Sequence, residues 1–206
     1  MKTVVILLLY SLLFANNYPN FTQEELLRLE KTDSRAYRRV LHYKKHMQEL
    51  RTLSTQKQLI KLNLYLNGLQ AQFDDVIHKK EENWATPKEF LSVGFGDCED
   101  YAIIKYYSLI ELGFSKERLY LTIVKENFRG GQHMVLSYFE KQGQAPLILD
   151  NLSFKVLPLN KRKDLSAEYF INEYGVYTMR KNGTLEKSPL HFKEFEELRK
   201  RIEKGL

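Results

Sequence analysis

The residues with the clearest chemical potential are Cys98, His133 and Asp150, which follow one another along the chain in that order. A thiolate attacks a carbonyl carbon, an imidazole moves the proton, and a carboxylate orients the imidazole and stabilises its charged form. Cys98 is the only cysteine of the chain, which excludes an intrachain disulfide framework and a cysteine-rich zinc site. Such a cysteine is either an inert buried side chain or a nucleophile.

The sequence around Cys98 predicts the start of a helix. Asp97 is a suitable N-cap residue, and apolar residues recur at helical spacing from there to Gly113, a suitable C-cap. Free N–H groups and the positive dipole at a helix N-terminus favour a thiolate and can bind the oxyanion that its attack produces. The glycines of residues 94–96 (GFG) allow the backbone and a substrate to approach closely.

His133 and Asp150 lie at the ends of predicted strands. His133 opens a strand directly after the Gly130-Gly131 turn, and Asp150 ends the apolar run at 146–149. Neighbouring strands can bring both side chains beside the helix, so we expect a triad with Cys98. The other four histidines lie in polar helical or loop stretches and are expected at the solvated surface: His42, His46, His78 and His191.

Acidic residues surround the cysteine, namely Asp97, Glu99 and Asp100. Their negative charge should raise the pKa of the thiol and oppose formation of the thiolate. One explanation is that acids in the first turn suit the helix dipole. The other is a bound calcium ion, which takes carboxylate and carbonyl oxygens as ligands. The chain has no EF-hand loop, so spacing alone does not indicate calcium.

Several sequence blocks around these residues belong together: 84–91 (WATPKEFL), 96–103 (GDCEDYAI), 105–106 (KY), 133–136 (HMVL) and 149–152 (LDNL). In combination they closely resemble the bacterial transglutaminase-like cysteine proteinases. The resemblance extends from about residue 84 to residue 172 and includes Arg162 and Asp164. The helices before residue 84 fit the layout of that family with weaker motifs.

The resemblance implies both the fold and the roles of the site residues. It implies an α+β fold with a papain-like, transglutaminase-like core, in which N-terminal helices and the catalytic helix pack on an antiparallel sheet. Cys98 would be the nucleophile, His133 the general base and acid, and Asp150 the orienting residue. Calcium (Ca2+) would bind beside the cysteine through the metal ligands Asp97 and Glu99, with Asp100 as a third.

The resemblance also implies a biological role. Family members are calcium-dependent periplasmic endopeptidases that cleave the N-terminal region of a large surface adhesin between paired alanines. This cleavage releases the adhesin and promotes biofilm dispersal. An inner-membrane receptor of the LapD type holds such a protease inactive when cytoplasmic cyclic di-GMP is high. The net charge of +6 comes from basic residues scattered among acidic ones, so nucleic acid is not an expected partner.

Residues 1–15 have the pattern of an export signal. Lys2 precedes an apolar run over 4–14, and Ala15 supplies a small residue at a suitable cleavage point. The run is shorter than the roughly 20 residues that span a bilayer, which favours a cleaved signal peptide over an uncleaved anchor. The remaining residues 16–206 suffice for a single domain, which we expect in the periplasm.

Hydrophobic periodicity predicts helices first and strands afterwards. Helices are predicted at 22–30, 34–53, 55–79, from Pro87, from Cys98 and at 192–204. Capping boxes are predicted for Thr22 with Glu25 and for Thr86 with Glu89. Strands are predicted around 119–123, 134–139 and 147–149, followed by a hairpin at 169–171 and 176–178.

Two other functions remain open at this point. The same triad could transfer an acyl group to an amine, as a transglutaminase does, and a non-catalytic binding module could keep the fold. Trp84 and Tyr101 could belong either to the core or to a substrate groove. The basic face of the N-terminal helices is expected to be solvated, although it could meet an acidic partner: Arg35, Arg38, Arg39, Lys44 and Lys45.

Overall fold

The computed structural model describes residues 19–69, 84–128, 130–141 and 143–206. These ranges contain helices α1 (Gln23–Thr32), α2 (Ser34–Leu50), α3 (Thr55–Asn67), α4 (Pro87–Val93), α5 (Cys98–Glu111) and α6 (Lys193–Glu203). They also contain strands β1 (Leu119–Glu126), β2 (Gln132–Tyr138), β3 (Leu147–Asp150), β4 (Ser153–Pro158), β5 (Leu165–Asn172), β6 (Gly175–Met179) and β7 (Leu185–Ser188). Within the described ranges, no helix is long and apolar enough to span a membrane. The predicted export signal lies outside these residues.

The strands form one antiparallel sheet in the order β4-β3-β2-β1-β5-β6-β7. Strand β1 lies at its centre, with the β2–β4 meander on one side and the β5–β7 meander on the other. The connection from β4 to β5 therefore returns across the sheet to the far side of β1. This return brings residues 159–164 back toward the ends of β2 and β3, where the candidate residues lie.

The main hydrophobic core lies between the helices and one face of the sheet. Helix α5 is buried along most of its length because it packs on the central strands, with Ile103 and Leu109 fully buried. Opposite them, Leu121 of β1 and Leu136 of β2 are also fully buried. Burying a side chain of this size stabilises the fold by roughly 1.5–3 kcal/mol. The start of α5 is thus fixed rigidly against β2.

The predicted helices are present, and both capping boxes are confirmed. The backbone N–H groups of Thr22 and Thr86 donate to the carboxylates of Glu25 and Glu89 at 2.6 and 2.7 Å, and the threonine hydroxyls accept in return. Helix α2 ends at Leu50, earlier than predicted. Helix α3 ends at Asn67, and the rest of the predicted 55–79 helix lies mostly in 70–83, outside the described residues.

The sheet is larger than the predicted one. Strands β4 and β7 were not predicted, because they lie at the two edges of the sheet and have largely polar or exposed residues (SFKVLP and LEKS). An edge strand lacks the clean alternation that marks a half-buried strand. The predicted hairpin at the C-terminal end is confirmed as β5–β6 and continues into β7.

Arg39 of α2 holds the loop that leads to Cys98. Its Nη1 donates to the carbonyl oxygens of Leu91 and Ser92, at the end of α4, at 2.8 and 2.9 Å. Gly94 follows with φ of +93°, and a Cβ atom there would collide with the Arg39 guanidinium. The expectation of a solvated basic face is therefore wrong for Arg39, which is a structural residue.

Replacing Gly94 by alanine should destabilise the protein more than the same change at Gly113. Gly113 has nearly the same φ, +91°, but open space around its Cα. Strain alone predicts a loss of about 1–2 kcal/mol for Gly113→Ala. Gly94→Ala should also displace Arg39 and so lose about 3–5 kcal/mol of the free energy of unfolding. Urea denaturation measures both, and equal losses would contradict the role given to Arg39.

Candidate active site

Cys98 is the first residue of α5, as predicted. Asp97 occupies the N-cap position, but its side chain makes no capping hydrogen bond. The Cys98 side chain is partly buried against the main core. The Cys98 sulfur lies near the backbone of Met134 on β2. Cys98 therefore lies against β2 at Met134, the residue that follows His133.

His133 and Asp150 are brought together by the pairing of β2 with β3. Leu136 pairs with Leu149, so Asp150 lies across from Val135 and diagonal to His133 on the same face of the sheet. His133 Nε2 and Asp150 Oδ1 are 2.9 Å apart, and both side chains are buried. The predicted contact between these two residues is therefore present.

The charge state of Asp150 defines the tautomer of His133. Burial alone would raise the pKa of Asp150, but hydrogen bonds from His133, Arg162 and the backbone N–H of Leu152 outweigh it and lower the pKa to about 2. An ionised carboxylate only accepts hydrogen bonds, so Nε2 of His133 must carry the proton. In the neutral ring, Nδ1 is then free to accept a proton.

Burial and the neighbouring acids keep the Cys98 thiol protonated. The thiol donates to Glu99 Oε2 at 3.1 Å. Burial, followed by the negative charges of Glu99 and Asp97, raises the pKa of Cys98 to about 12. The expected effect of the acids is thus present, and together with burial it outweighs any contribution of the helix N-terminus to the thiolate.

The three acids also act on one another. Burial and the charge of Glu99 raise the pKa of Asp97 to about 6. Burial and the charge of Asp97 raise the pKa of Asp100 to about 7. Asp100 Oδ1 accepts a hydrogen bond from the backbone N–H of Ala85 at 2.7 Å, which ties residues 84–86 to α5.

These acids have the donor chemistry of a calcium site without its full geometry. Among the described residues, no group of three or more His, Cys, Asp or Glu side chains is arranged to hold a metal ion. The predicted three-carboxylate set of Asp97, Glu99 and Asp100 is therefore not assembled here, in part because Asp100 binds Ala85. Crowded carboxylates such as Asp97 and Glu99 are nevertheless the hard oxygen ligands that Ca2+ prefers.

Two asparagines of α3 bind the backbone at Asp150 and Ser153, and the sequence analysis did not predict this role. Asn67 Nδ2 donates to the carbonyl oxygens of Asp150 and Ser153 at 2.8 and 3.1 Å, and Asn63 Nδ2 donates to that of Ser153 at 2.8 Å. Both are buried on α3 among leucines. The sequence did contain a signal for them, namely two asparagines four residues apart on an apolar helix face. Buried amides need hydrogen-bond partners, so this pattern indicates a polar contact inside the core.

Burial decides whether the remaining candidate aromatic and histidine side chains belong to the core or to the surface. Trp84 packs near Phe195, and Tyr101 makes an edge contact with Phe90, so both belong to the core. His46 stacks on Tyr65 and is half-buried, which corrects its predicted surface position. His42 and His191 are exposed as predicted, and His78 lies outside the described residues.

Comparison with known proteins identifies relatives of the whole domain. The model of a family described as bacterial transglutaminase-like cysteine proteinase (BTLCP) matches residues 34–169. Calcium-bound LapG from Legionella pneumophila is similar in structure, with 30% identity and a TM-score of 0.75 over 88% of this chain and 99% of LapG. EGTA-treated LapG has 28% identity and a TM-score of 0.74, covering 88% and 98%. No curated protein sequence matches.

The predicted architecture is confirmed by this similarity. Helices and a seven-stranded antiparallel sheet superpose on LapG, which has a transglutaminase-like, papain-like fold. The matched region, 34–169, includes Cys98, His133 and Asp150. The chain therefore belongs to the bacterial transglutaminase-like cysteine proteinase family, and it is a cysteine protease of the LapG kind.

Proposed function

We propose that this protein is a calcium-dependent cysteine endopeptidase that cleaves the N-terminal region of a large surface adhesin at paired alanines. This cleavage would release the adhesin and promote biofilm dispersal. The observation that carries the proposal is the buried hydrogen bond between His133 and Asp150 at the strand end that Cys98 contacts. Similarity to LapG supports the choice of peptide hydrolysis over amide transfer.

In the proposed mechanism, His133 Nδ1 takes the Cys98 proton as the sulfur attacks the scissile carbonyl carbon. The N–H groups at the start of α5 are suited to stabilise the resulting oxyanion. The imidazolium returns its proton to the leaving amine as the C–N bond breaks and a thioester remains. His133 then takes a proton from water, whose oxygen attacks the thioester and releases the acid as the thiol re-forms. Asp150 stays ionised throughout and stabilises the imidazolium.

Calcium accounts for the acids around the nucleophile. Asp97 and Glu99 would hold the ion, and Asp100 is the third predicted ligand. Held there, a divalent cation would offset the negative charge that adds to burial in raising the pKa of Cys98, and so would favour the thiolate. The calcium-bound form of LapG supports this part of the proposal.

The proposal places the protein in the periplasm. It is supported by the export-signal pattern of residues 1–15 and by the family resemblance. The same resemblance motivates an inhibitory partner, an inner-membrane cyclic-di-GMP receptor of the LapD type. The adhesin is the only substrate in the proposal.

The direct test is cleavage of an adhesin segment by purified residues 16–206. We expect one cut in an N-terminal adhesin segment with paired alanines, in calcium but not in EGTA. Cys98→Ala should abolish the cut while leaving the thermal unfolding temperature nearly unchanged, because only one sulfur atom is lost. Gel electrophoresis and mass spectrometry locate the cut.

Cleavage by Cys98→Ala at the wild-type rate would contradict the mechanism. A parallel reaction with a labelled primary amine separates hydrolysis from amide transfer. Incorporation of the amine into a glutamine substrate, with no chain cleavage, would instead establish a transglutaminase activity.

Calcium binding can be measured separately from activity. We expect isothermal titration calorimetry to show binding of calcium chloride, weakened by about tenfold or more in Asp97→Asn and Glu99→Gln through loss of ligand charge. Glu24→Gln is the matched control, because Glu24 is an exposed acid in the first turn of α1. Equal affinity in all variants would place calcium elsewhere or remove it from the proposal.

The ionised state of Asp150 should appear in the acid stability of the fold. Its folded-state pKa of about 2 lies below the ordinary value of 3.8, so ionisation stabilises the protein above pH 4 by about 2 kcal/mol. This stability should be lost as the pH falls from 4 through 2. Urea denaturation should show that the difference in free energy of unfolding between wild type and Asp150→Asn decreases in that pH range.

The control for this measurement is Glu186→Gln. Glu186 pairs with Arg180 at the exposed surface, where ion pairs contribute little. The free energy of unfolding of Glu186→Gln should differ little from that of wild type at every pH. A wild-type advantage over Asp150→Asn that does not change between pH 5 and 2 would show that Asp150 is not stabilised as a carboxylate.

A further inference from the structure

We propose that Arg162 is a positioning residue of this active site, which holds Asp150 in the orientation that His133 requires. The inference rests on the proposed function, because it assigns Asp150 the orienting role. Arg162 lies in the segment that returns from β4 to β5 and is 7% exposed. Spacing and periodicity gave no reason to connect it with the catalytic residues.

Arg162 and His133 bind different carboxylate oxygens of Asp150. Arg162 Nη2 donates to Oδ2 at 2.6 Å, while His133 Nε2 and the backbone N–H of Leu152 donate to Oδ1, each at 2.9 Å. Asp150 is only 1% exposed, so solvent does not reach Oδ2 while Arg162 is in place. Arg162 therefore leaves Oδ1 as the oxygen that faces the imidazole.

Arg162 is itself held in place by Asp164. Its Nε donates to Asp164 Oδ1 and Oδ2 at 2.9 and 3.1 Å, and its Nη2 donates to Oδ2 at 2.6 Å. The planar guanidinium thus contacts two carboxylates in one fixed geometry. A lysine ammonium is a single point charge on a flexible stem and does not reproduce this arrangement.

The other cation near Asp150 does not substitute for Arg162. Lys105 of α5 is completely buried, and burial, against the opposing charge of Asp150, lowers its pKa to about 7. Its Nζ has no hydrogen-bond partner in the part of the chain that the structure describes. Lys105 therefore acts on Asp150 only at longer range, and Arg162 makes the direct contact.

Arg162 also lines an open cavity next to the pair. The cavity has a volume of about 550 Å³ and is bordered by His133, Asp150 and Arg162 together with Phe128 and Leu152. Shortening the Arg162 side chain would enlarge this space and admit water to Oδ2. Water competes for the carboxylate and weakens its hold on the imidazole.

The test compares Arg162→Gln with Arg162→Lys and with Arg180→Gln in the adhesin-cleavage assay. Arg180 is the matched control, since it makes a two-point ion pair with Glu186 at the exposed surface. We expect Arg162→Gln to lower kcat by about 10- to 100-fold, less than the roughly 10⁴-fold that follows loss of an orienting carboxylate in a triad. KM should change less than about threefold. Arg162→Lys should recover only part of kcat, and Arg180→Gln should match wild type.

A second readout needs neither substrate nor activity. In protein labelled with 15N-histidine, the Nε2-bound proton of His133 should give a downfield NMR resonance, because it is hydrogen-bonded to a buried carboxylate. Arg162→Gln should shift this resonance upfield or broaden it. Arg180→Gln should leave it unchanged. A merely structural role for Arg162 would lower the unfolding temperature without moving this signal.

The outcomes separate this inference from the proposed function. Folded Arg162→Gln with wild-type kcat, or with an unchanged His133 resonance, overturns the role of Arg162. No cleavage by wild type, with a His133 resonance that responds to Arg162→Gln, overturns the proposed function and supports the positioning role. If Arg162→Gln does not fold, Asp164→Asn replaces it as the test variant, because Asp164 holds the Arg162 guanidinium. An unchanged His133 resonance and an unchanged kcat in Asp164→Asn overturn the inference.

Discussion

The buried carboxylate of Asp150 is the charge around which this molecule is organised. A carboxylate removed from water is ionised only when donors surround it, and here they come from three separate parts of the chain. His133 reaches it from β2, Arg162 from the return connection, and the backbone of Leu152 from the following turn. Helix α3 fixes the backbone beneath it through Asn67. Strand register, helix packing and the β4–β5 connection must all be correct for this one group to keep its charge.

The candidate site has two groups of acids in opposite electrostatic states. Asp150 is fully compensated, and its pKa is lowered. Asp97 and Asp100 are crowded against Glu99, and the pKa values of both are raised. The uncompensated group lies at the start of the nucleophile's helix, beside the thiol, and the compensated group lies on the sheet.

Local patterns in the sequence were enough to predict those parts of the fold that depend on local physics. The capping box at Thr86, the helix start at Cys98 and the alternation in β1–β3 are set by neighbouring residues. The edge strands β4 and β7 escaped prediction because a sheet edge tolerates polar residues on both faces. The contacts of Arg162 and Asn67 with residue 150 escaped prediction because no periodic pattern records a contact between different elements. The thiol state of Cys98 depends on a balance of burial and charge that composition does not determine.

The position of Cys98 at the first residue of a helix that docks on the sheet has a consequence for when activity arises. Cys98 belongs to α5, whereas His133 and Asp150 belong to strands that pair with each other without it. Pairing of the strands places His133 beside Asp150, and the packing of α5 on β2 is what adds the nucleophile. Proteolytic competence is thus a property of the completed tertiary structure. A chain that is still folding therefore carries all three candidate side chains without an assembled site.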